Sequence, residues 1–236
     1  MSDWAAKRFW TDTTVVPEGD GFAVHLDGRP VRTPAKAPLI VPTQAFADLI
    51  AAEWDGQDGK IDPETMPATR SANVAIDRIG SVHAEVVTMI ADYGDSDLLC
   101  YRAVFPEALI ERQDAVWNPL LVWAETEFGA RLETRAGVMH VPQSPAALAR
   151  LHAVVDAMTA FELAAFHDLV SLSGSLVIGL AATRNARPVE ALWDASRLDE
   201  TFQIEQWGED EDAAVEAAIK RESFLRAHEF YHAVQN

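Results

Sequence analysis

His228-Glu229-Phe230-Tyr231-His232 fits the pattern H-E-x-x-H. On a helix, histidines at i and i+4 share a face and can hold zinc, with the glutamate as general base. Only four residues follow His232, too few for a further helix carrying a third ligand. Phe230 and Tyr231 suit packing as well as chemistry. The pattern therefore reads as a terminal packing pair, and a zinc-dependent hydrolase using His228, Glu229 and His232 is kept as the alternative. Gly174 and Gly179 have P-loop spacing, but Leu180-Ala181 stands where Lys-Ser/Thr must be. Ser173 and Ser175 lack the strained G-x-S-x-G elbow. Asp95 and Asp97 hint at a calcium loop whose glycine and distal glutamate are missing, so they read as helix caps. Cys100, the one cysteine, lies in an apolar run with no nearby His or Lys to activate it. It reads as a buried thiol. Glu53, Asp55 and the Asp77-Arg78 pair read as structural.

The remaining dense chemistry is acidic. Trp193 to Ala214 carries a run of carboxylates around Gln203-x-x-x-Trp207-Gly208. It offers no complete nucleophilic set, no phosphate cradle and no evident metal cage. Leu198, Phe202 and Glu205 fall on one helical face, with Asp199, Gln203 and Gln206 on the next. Gly208 suits a helix end. A charged rim around exposed aromatic residues is a composition common in protein recognition. A solvated acidic face is the competing reading. The expected partner-binding residues are Asp199, Glu200, Phe202, Gln203, Glu205, Trp207 and Asp210. Phe202 and Trp207 would supply binding energy and the acids steering, although Trp207 also reads as a structural anchor that orients the acids. No catalytic, cofactor-binding or metal-binding residues are expected.

Several elements must position this stretch. Phe22, Val24 and Leu26 alternate as in a half-buried strand, and Asp27-Gly28 turns into a return strand over residues 29–33. Pro38 and Pro42 allow only a short strand over Leu39–Val41. Thr43 is a good N-cap for a helix bearing Phe46, Leu49, Ile50 and Trp54. The proline-containing loop up to Pro67 marks the expected boundary. Ala75, Ile79, Val82, Val86 and Ile90 then predict one long amphipathic helix. Pro106 opens a helix that Asn118-Pro119 interrupts, residues 131–141 form a non-helical connection or hairpin, and Ser144-Pro145 starts another helix. Residues 173–182 read as a central buried helix with small residues for close packing. Helices from Pro188 and over residues 209–234 complete the chain. The expected fold is α+β: a small N-terminal β-rich α+β domain over 1–67, then a larger all-α C-terminal domain over 68–236.

The chain has 236 residues, 49% hydrophobic and 24% charged, which fits a folded protein with a sizeable core. Its net charge of −18 disfavours general nucleic-acid or anionic-membrane binding, because both need cationic surface. No apolar run reaches the roughly 20 residues of a membrane span, and the N-terminus shows no signal core. A cytoplasmic protein, or a processed organelle protein, is expected, monomeric when free.

The chain resembles a known family. The matching stretches are Lys7-Arg8-Phe9-Trp10, Leu26-Asp27-Gly28-Arg29-Pro30-Val31, Ala52-Glu53-Trp54-Asp55, Met66-Pro67 and Asp97-Leu98-Leu99-Cys100-Tyr101-Arg102. Gly174-Ser175-Leu176-Val177, Leu198-Asp199-Glu200, Phe202-Gln203 and Trp207-Gly208 continue in the same order. They are similar to the assembly chaperones of the F-type ATP synthase head found in mitochondria and alphaproteobacteria. The resemblance implies an N-terminal α+β domain, a helical C-terminal domain and no enzymatic activity. It also implies binding to the free alpha subunit, shielding the surface that later meets a beta subunit. The family's acidic functional position falls on Asp199 or Glu200. The resemblance does not extend to the C-terminal helix, and an acidic scaffold with another partner remains a further alternative.

Overall fold

The computed structural model describes residues 7–235; residues 1–6, on which the expectation about a signal core falls in part, lie outside them. The chain divides into two compact units. Among the described residues, the first comprises those up to 83, 159–165 and those from 229 on, and the second residues 84–158 and 166–228. The boundary expected after Pro67 thus falls inside the first unit.

In the first unit, β1 (Thr13–Glu18) pairs antiparallel along its length with β2 (Gly21–Leu26). Asp27 and Gly28 both take positive φ, as a tight primed hairpin turn requires, and lead into β3 (Arg29–Pro30). The Asp27 carboxylate accepts from the backbone N–H of Thr11 and Asp12, which lowers its pKa. β4 (Ile40–Val41) pairs with the other end of β2. A Cβ on Gly21 would lie 2.4 Å from the Val41 carbonyl oxygen, so that approach needs glycine. β2 is the central strand, and Ala23, Val24 and Leu26 are all buried, so the expected alternation is not clean.

Thr43 caps α1 (Gln44–Asp55) as expected, accepting from the Phe46 N–H. Phe46, Ala47 and Ile50 face the core, and Phe46 meets Phe161 and Phe230 edge-on. α2 (Pro67–Asp77) has no cap of its own. Glu53 of α1 supplies one, accepting from the backbone N–H of Ala68 (2.5 Å) and Thr69 (2.8 Å) and from the Thr69 hydroxyl (2.7 Å). This reach explains why the unit continues past Pro67. Asp77 holds Thr33 and Ala35. Trp54 is half-buried against Trp10, and Arg29 is exposed.

The long helix expected across residues 75–90 is two helices. Arg78 leaves helical geometry and residues 79–81 form a 3₁₀ turn. α3 (His83–Ala91) then begins afresh, leaving Val82 exposed.

The second unit is helical around α7 (Leu176–Thr183), every residue of which is buried. The expected helix over 173–182 is broken. α6 (Ala160–Ser173) ends at Gly174, whose φ of +70° is left-handed, and Ser175 caps α7 by accepting from the Ile178 N–H. Gly179 does serve close packing, since a Cβ there would lie 2.6 Å from the Val170 side chain.

Asp97 holds the start of α7 from outside. Its carboxylate accepts from the Ser175 hydroxyl (2.7 Å), the Val177 N–H (2.9 Å) and the Leu99 N–H (3.0 Å). Burial pushes its pKa up to about 6 against these bonds, which pull the other way.

β5 (Tyr101–Arg102) pairs parallel with β6 (Arg135–Ala136), so residues 131–141 do not form a hairpin. α4 (Glu107–Phe128) runs through Pro119 without the expected interruption. α5 (Pro145–Asp156) starts where expected, although the Ser144 side chain makes no capping bond. α8 (Val189–Ser196), α9 (Leu198–Trp207) and α10 (Glu211–Gln235) follow.

Candidate functional site

The expected partner-binding residues lie on α9 and the bend after it, all within the second unit. The helical period divides α9 into three faces. Leu198 and Phe202 point inward and are buried. Asp199, Phe202 and Glu205, at i, i+3 and i+6, face α4. Glu200, Gln203, Ile204 and Trp207 form the outward face.

The α4-facing stripe is built into the fold. Gln113, 1% exposed, donates to Asp199 at 2.7 Å and accepts from the Ala103 N–H at 2.8 Å. Arg112 pairs with Glu205 at 2.8 Å, which lowers the pKa of Glu205 and raises that of Arg112. The same guanidinium lies 5.2 Å from the centre of the Phe202 ring. Phe202 is only 7% exposed, so it packs the helix rather than offering a contact surface. Its expected role as a source of binding energy is corrected, because α4 already covers it.

Below this contact, Arg102 bonds Leu99, Asp114 and Asn118 and lies over Trp117. Burial lowers the Arg102 pKa, and Asp114 opposes that shift. Trp117 donates to the carbonyl of Ala195, fixing α8 to α4. The acids of α9 therefore stand on a packed, hydrogen-bonded base.

The outward face is different. Trp207 is 80% exposed and Ile204 44% exposed. Trp207 is thus no structural anchor. Glu200 is exposed and pairs with Arg197 at 3.1 Å. Gly208, at φ +91° and ψ 166°, takes a conformation essentially reserved for glycine, and lets the chain bend sharply into α10. Asp210 caps α10 by accepting from the Ala213 N–H at 2.9 Å. A groove of about 470 Å³ lies between α9 and the start of α10. Glu200, Gln203, Trp207 and Asp210 line it, together with Ala213, Ala217 and Lys220, which the sequence reading did not single out. Their signal was weak: two alanines and a lysine at helical spacing opposite Trp207-Gly208. Gln113 and Arg112 were also missed, because nothing local marks residues so distant in sequence as partners of α9.

The other candidate groups have structural surroundings. Cys100 is buried and its thiol is pushed up to about 12 by burial and by the charge of Asp97. His228 lies 2.9 Å from the Asn185 side-chain oxygen, and Phe230 and Tyr231 are buried. Among the described residues, no group of three or more His, Cys, Asp or Glu is placed to hold a metal ion. No helix among them is long and apolar enough to cross a membrane.

The chain is also similar to known proteins. The family model described as ATP12 chaperone protein matches residues 7–125. The crystal structure of Atp12 from Paracoccus denitrificans is 45% identical and superposes with a TM-score of 0.93, covering 97% of this chain and 98% of that one. An aspartate-to-lysine mutant of the same bacterium's Atp12p superposes at 0.94, with the same identity and coverage. The mitochondrial protein atp12 of Schizosaccharomyces pombe is 26% identical over 219 residues, spanning 88% of this chain and 75% of its own. The chain belongs to the ATP12 family of chaperones, which serve ATP synthase assembly.

Proposed function

We propose that the protein is a non-enzymatic, ATP-independent chaperone that binds the unassembled alpha subunit of F-type ATP synthase and prevents its aggregation before it meets beta. The carrying observation is the outward face of α9. It presents the exposed Glu200 beside a tryptophan that is 80% exposed, on a base that α4 holds in place. An unassembled subunit exposes an interface larger and more apolar than a stable monomer tolerates. The acids would steer encounter with positive patches, and the apolar groups would supply affinity. A net charge of −18 favours a monomer when free. Following its relatives, the protein would act in a bacterial cytoplasm or in the mitochondrial matrix.

The non-enzymatic part of this reading is supported by the structural assignments of Glu53, Asp97 and Cys100. ATP independence is supported by Gly174–Gly179 forming a helix stop and a packing contact in place of a phosphate loop. Stoichiometric zinc in protein purified without chelator would overturn the non-enzymatic reading in favour of the H-E-x-x-H pattern.

The direct test mixes the protein with purified free alpha subunit. A soluble one-to-one complex on size exclusion is expected, and equal aggregation with and without the protein would sink the reading. Glu200→Lys should weaken the complex without altering thermal unfolding; unchanged affinity would move the site elsewhere. Asp199→Lys is less clean, because it places a cation beside Gln113 and near Arg102. Asp199→Asn, which retains an acceptor for Gln113, is the matching control.

A further inference from the structure

The first part of α10, residues 211–223, makes little contact with the rest of the second unit. Val215 and Ile219 are 62% and 61% exposed, and Ala213, Ala217 and Ala218 are exposed too. Packing begins at Phe224, which is fully buried against Trp193. A helical stretch of this length is normally held by packing. Here local devices hold it: the Asp210 cap, Glu211 and Asp212 in the first turn, and the i,i+4 pairs Glu216–Lys220 and Glu222–Arg226. The result is a stiff helix standing beside Trp207 with the groove between them.

The charge around this groove is uneven. At its far end the ions are paired, Arg197 with Glu200 and Lys220 with Glu216. At the bend, Glu209 and Asp210 have no ion pair among the described residues. The C-terminus of α9 also ends there, and its free carbonyls add the negative end of a helix dipole. The walls are apolar: Trp207, Ile204, Ala213 and Ala217 over a Trp193 floor. A site with an apolar well and a local excess of negative charge at one end complements one kind of occupant.

Resting on the chaperone reading above, we propose that the α9–α10 groove is the anchor pocket for a client segment in which a bulky apolar side chain is flanked by lysine or arginine. The apolar side chain enters between Trp207 and the Ala213–Ala217 face, and the cation meets Glu209 and the end of α9. A volume of about 470 Å³ accommodates one or two large side chains, not a whole helix. Within the groove, Glu200 at the far end then serves approach, and the apolar well with Glu209 at the bend serves retention. A second copy of this chain is a poor occupant, because its acidic surface would meet the same negative bend.

The test uses the full chain and purified free alpha subunit. Trp207→Ala removes one wall, and Ala213→Trp fills the well. Each should weaken the complex at least tenfold, chiefly through faster dissociation. Val215→Ser, on the face of α10 turned away from the groove, should bind as the parent does. If the parent forms the complex and both groove variants bind equally well, the groove proposal fails and the chaperone reading stands. If the parent forms no complex, the chaperone reading fails and this proposal goes with it. A photoreactive phenylalanine analogue at position 207 gives a second readout. Crosslinks to an alpha-subunit segment combining a bulky apolar residue with a neighbouring Lys or Arg are expected. Crosslinks to a second copy of this chain, or to an acidic segment, would overturn the assignment.

Discussion

Two helix starts in the second unit each rely on an aspartate, and the two could hardly differ more. At α7, Asp97 reaches in from a separate segment, is fully buried, and receives one hydroxyl and two backbone N–H groups. At α10, Asp210 caps its own helix with one bond and stays exposed. α7 is buried on every side; the opening turns of α10 are exposed on nearly every side. The same residue type therefore builds a core in one place and edges a groove in the other. What separates them is how many donors converge on the carboxylate and whether water can replace those donors. An acid enclosed by protein donors is committed to the fold. An acid that water can reach remains available to a partner.

Asp97→Ala should break this contrast most severely. It strands the Ser175 hydroxyl and the Leu99 and Val177 N–H groups inside the protein, at about 4 kcal/mol of stability. Asp210→Ala exposes its orphaned donor to water and should cost about 1 kcal/mol or less. Urea unfolding of the two variants measures both. Equal costs would mean that burial does not decide the role of these acids.

The pH dependence comes next. Burial holds the Asp97 carboxyl up at about 6, against 3.8 for an ordinary aspartate. Between those values the folded chain binds a proton that the unfolded chain has released. The stability Asp97 contributes is thus fully present below about pH 4 and fades as pH rises through 6, by about 1.4 kcal/mol per unit across the window. Unfolding midpoints of the parent and Asp97→Asn, measured from pH 4 to 7, should show the largest cost of substitution at pH 4. The opposite trend would mean that the three hydrogen bonds outweigh burial. Smaller again is Gly179→Val, which forces side chains into Val170 and Phe166 and should cost about 2 kcal/mol. Ala217→Val on exposed α10 should stay within about 0.5 kcal/mol.

The parts of the fold legible in the sequence are those set by local geometry. The Thr43 cap on the Phe46 N–H and the backbone turn at Asp27-Gly28 involve residues within a few positions, so local sequence reveals them. Glu53 and Asp97 act across the chain, and the sequence marks them only as acids near apolar runs. The Ser173-Gly174-Ser175 triplet held a signal that composition obscured: small apolar neighbours suggested one helix, whereas a left-handed glycine followed by a capping serine makes two. The apolar period across residues 75–90 likewise passed over a break at Arg78, because periodicity survives a change of helix axis. At the site, the acidic stretch and Trp207-Gly208 were legible. The division of α9 into an α4-bound stripe and an open stripe was not, since it depends on Arg112 and Gln113, far away in sequence.

The smallest expected stability effect is also the sharpest division between the two regions. Trp207→Ala removes the largest exposed side chain on α9, yet that side chain contributes little to the folded state, being 80% exposed. Its stability change should lie within about 0.5 kcal/mol. Trp193, at the floor of the same groove, is 4% exposed and packs on Phe224, so Trp193→Ala should cost about 3–5 kcal/mol. Paired urea titrations decide the matter. If Trp207→Ala unfolds as readily as Trp193→Ala, the groove is part of the core and its exposed wall has a structural purpose. If it unfolds like the parent, an indole has been kept in water without any gain in stability, and its value to the protein lies in what it contacts outside the chain.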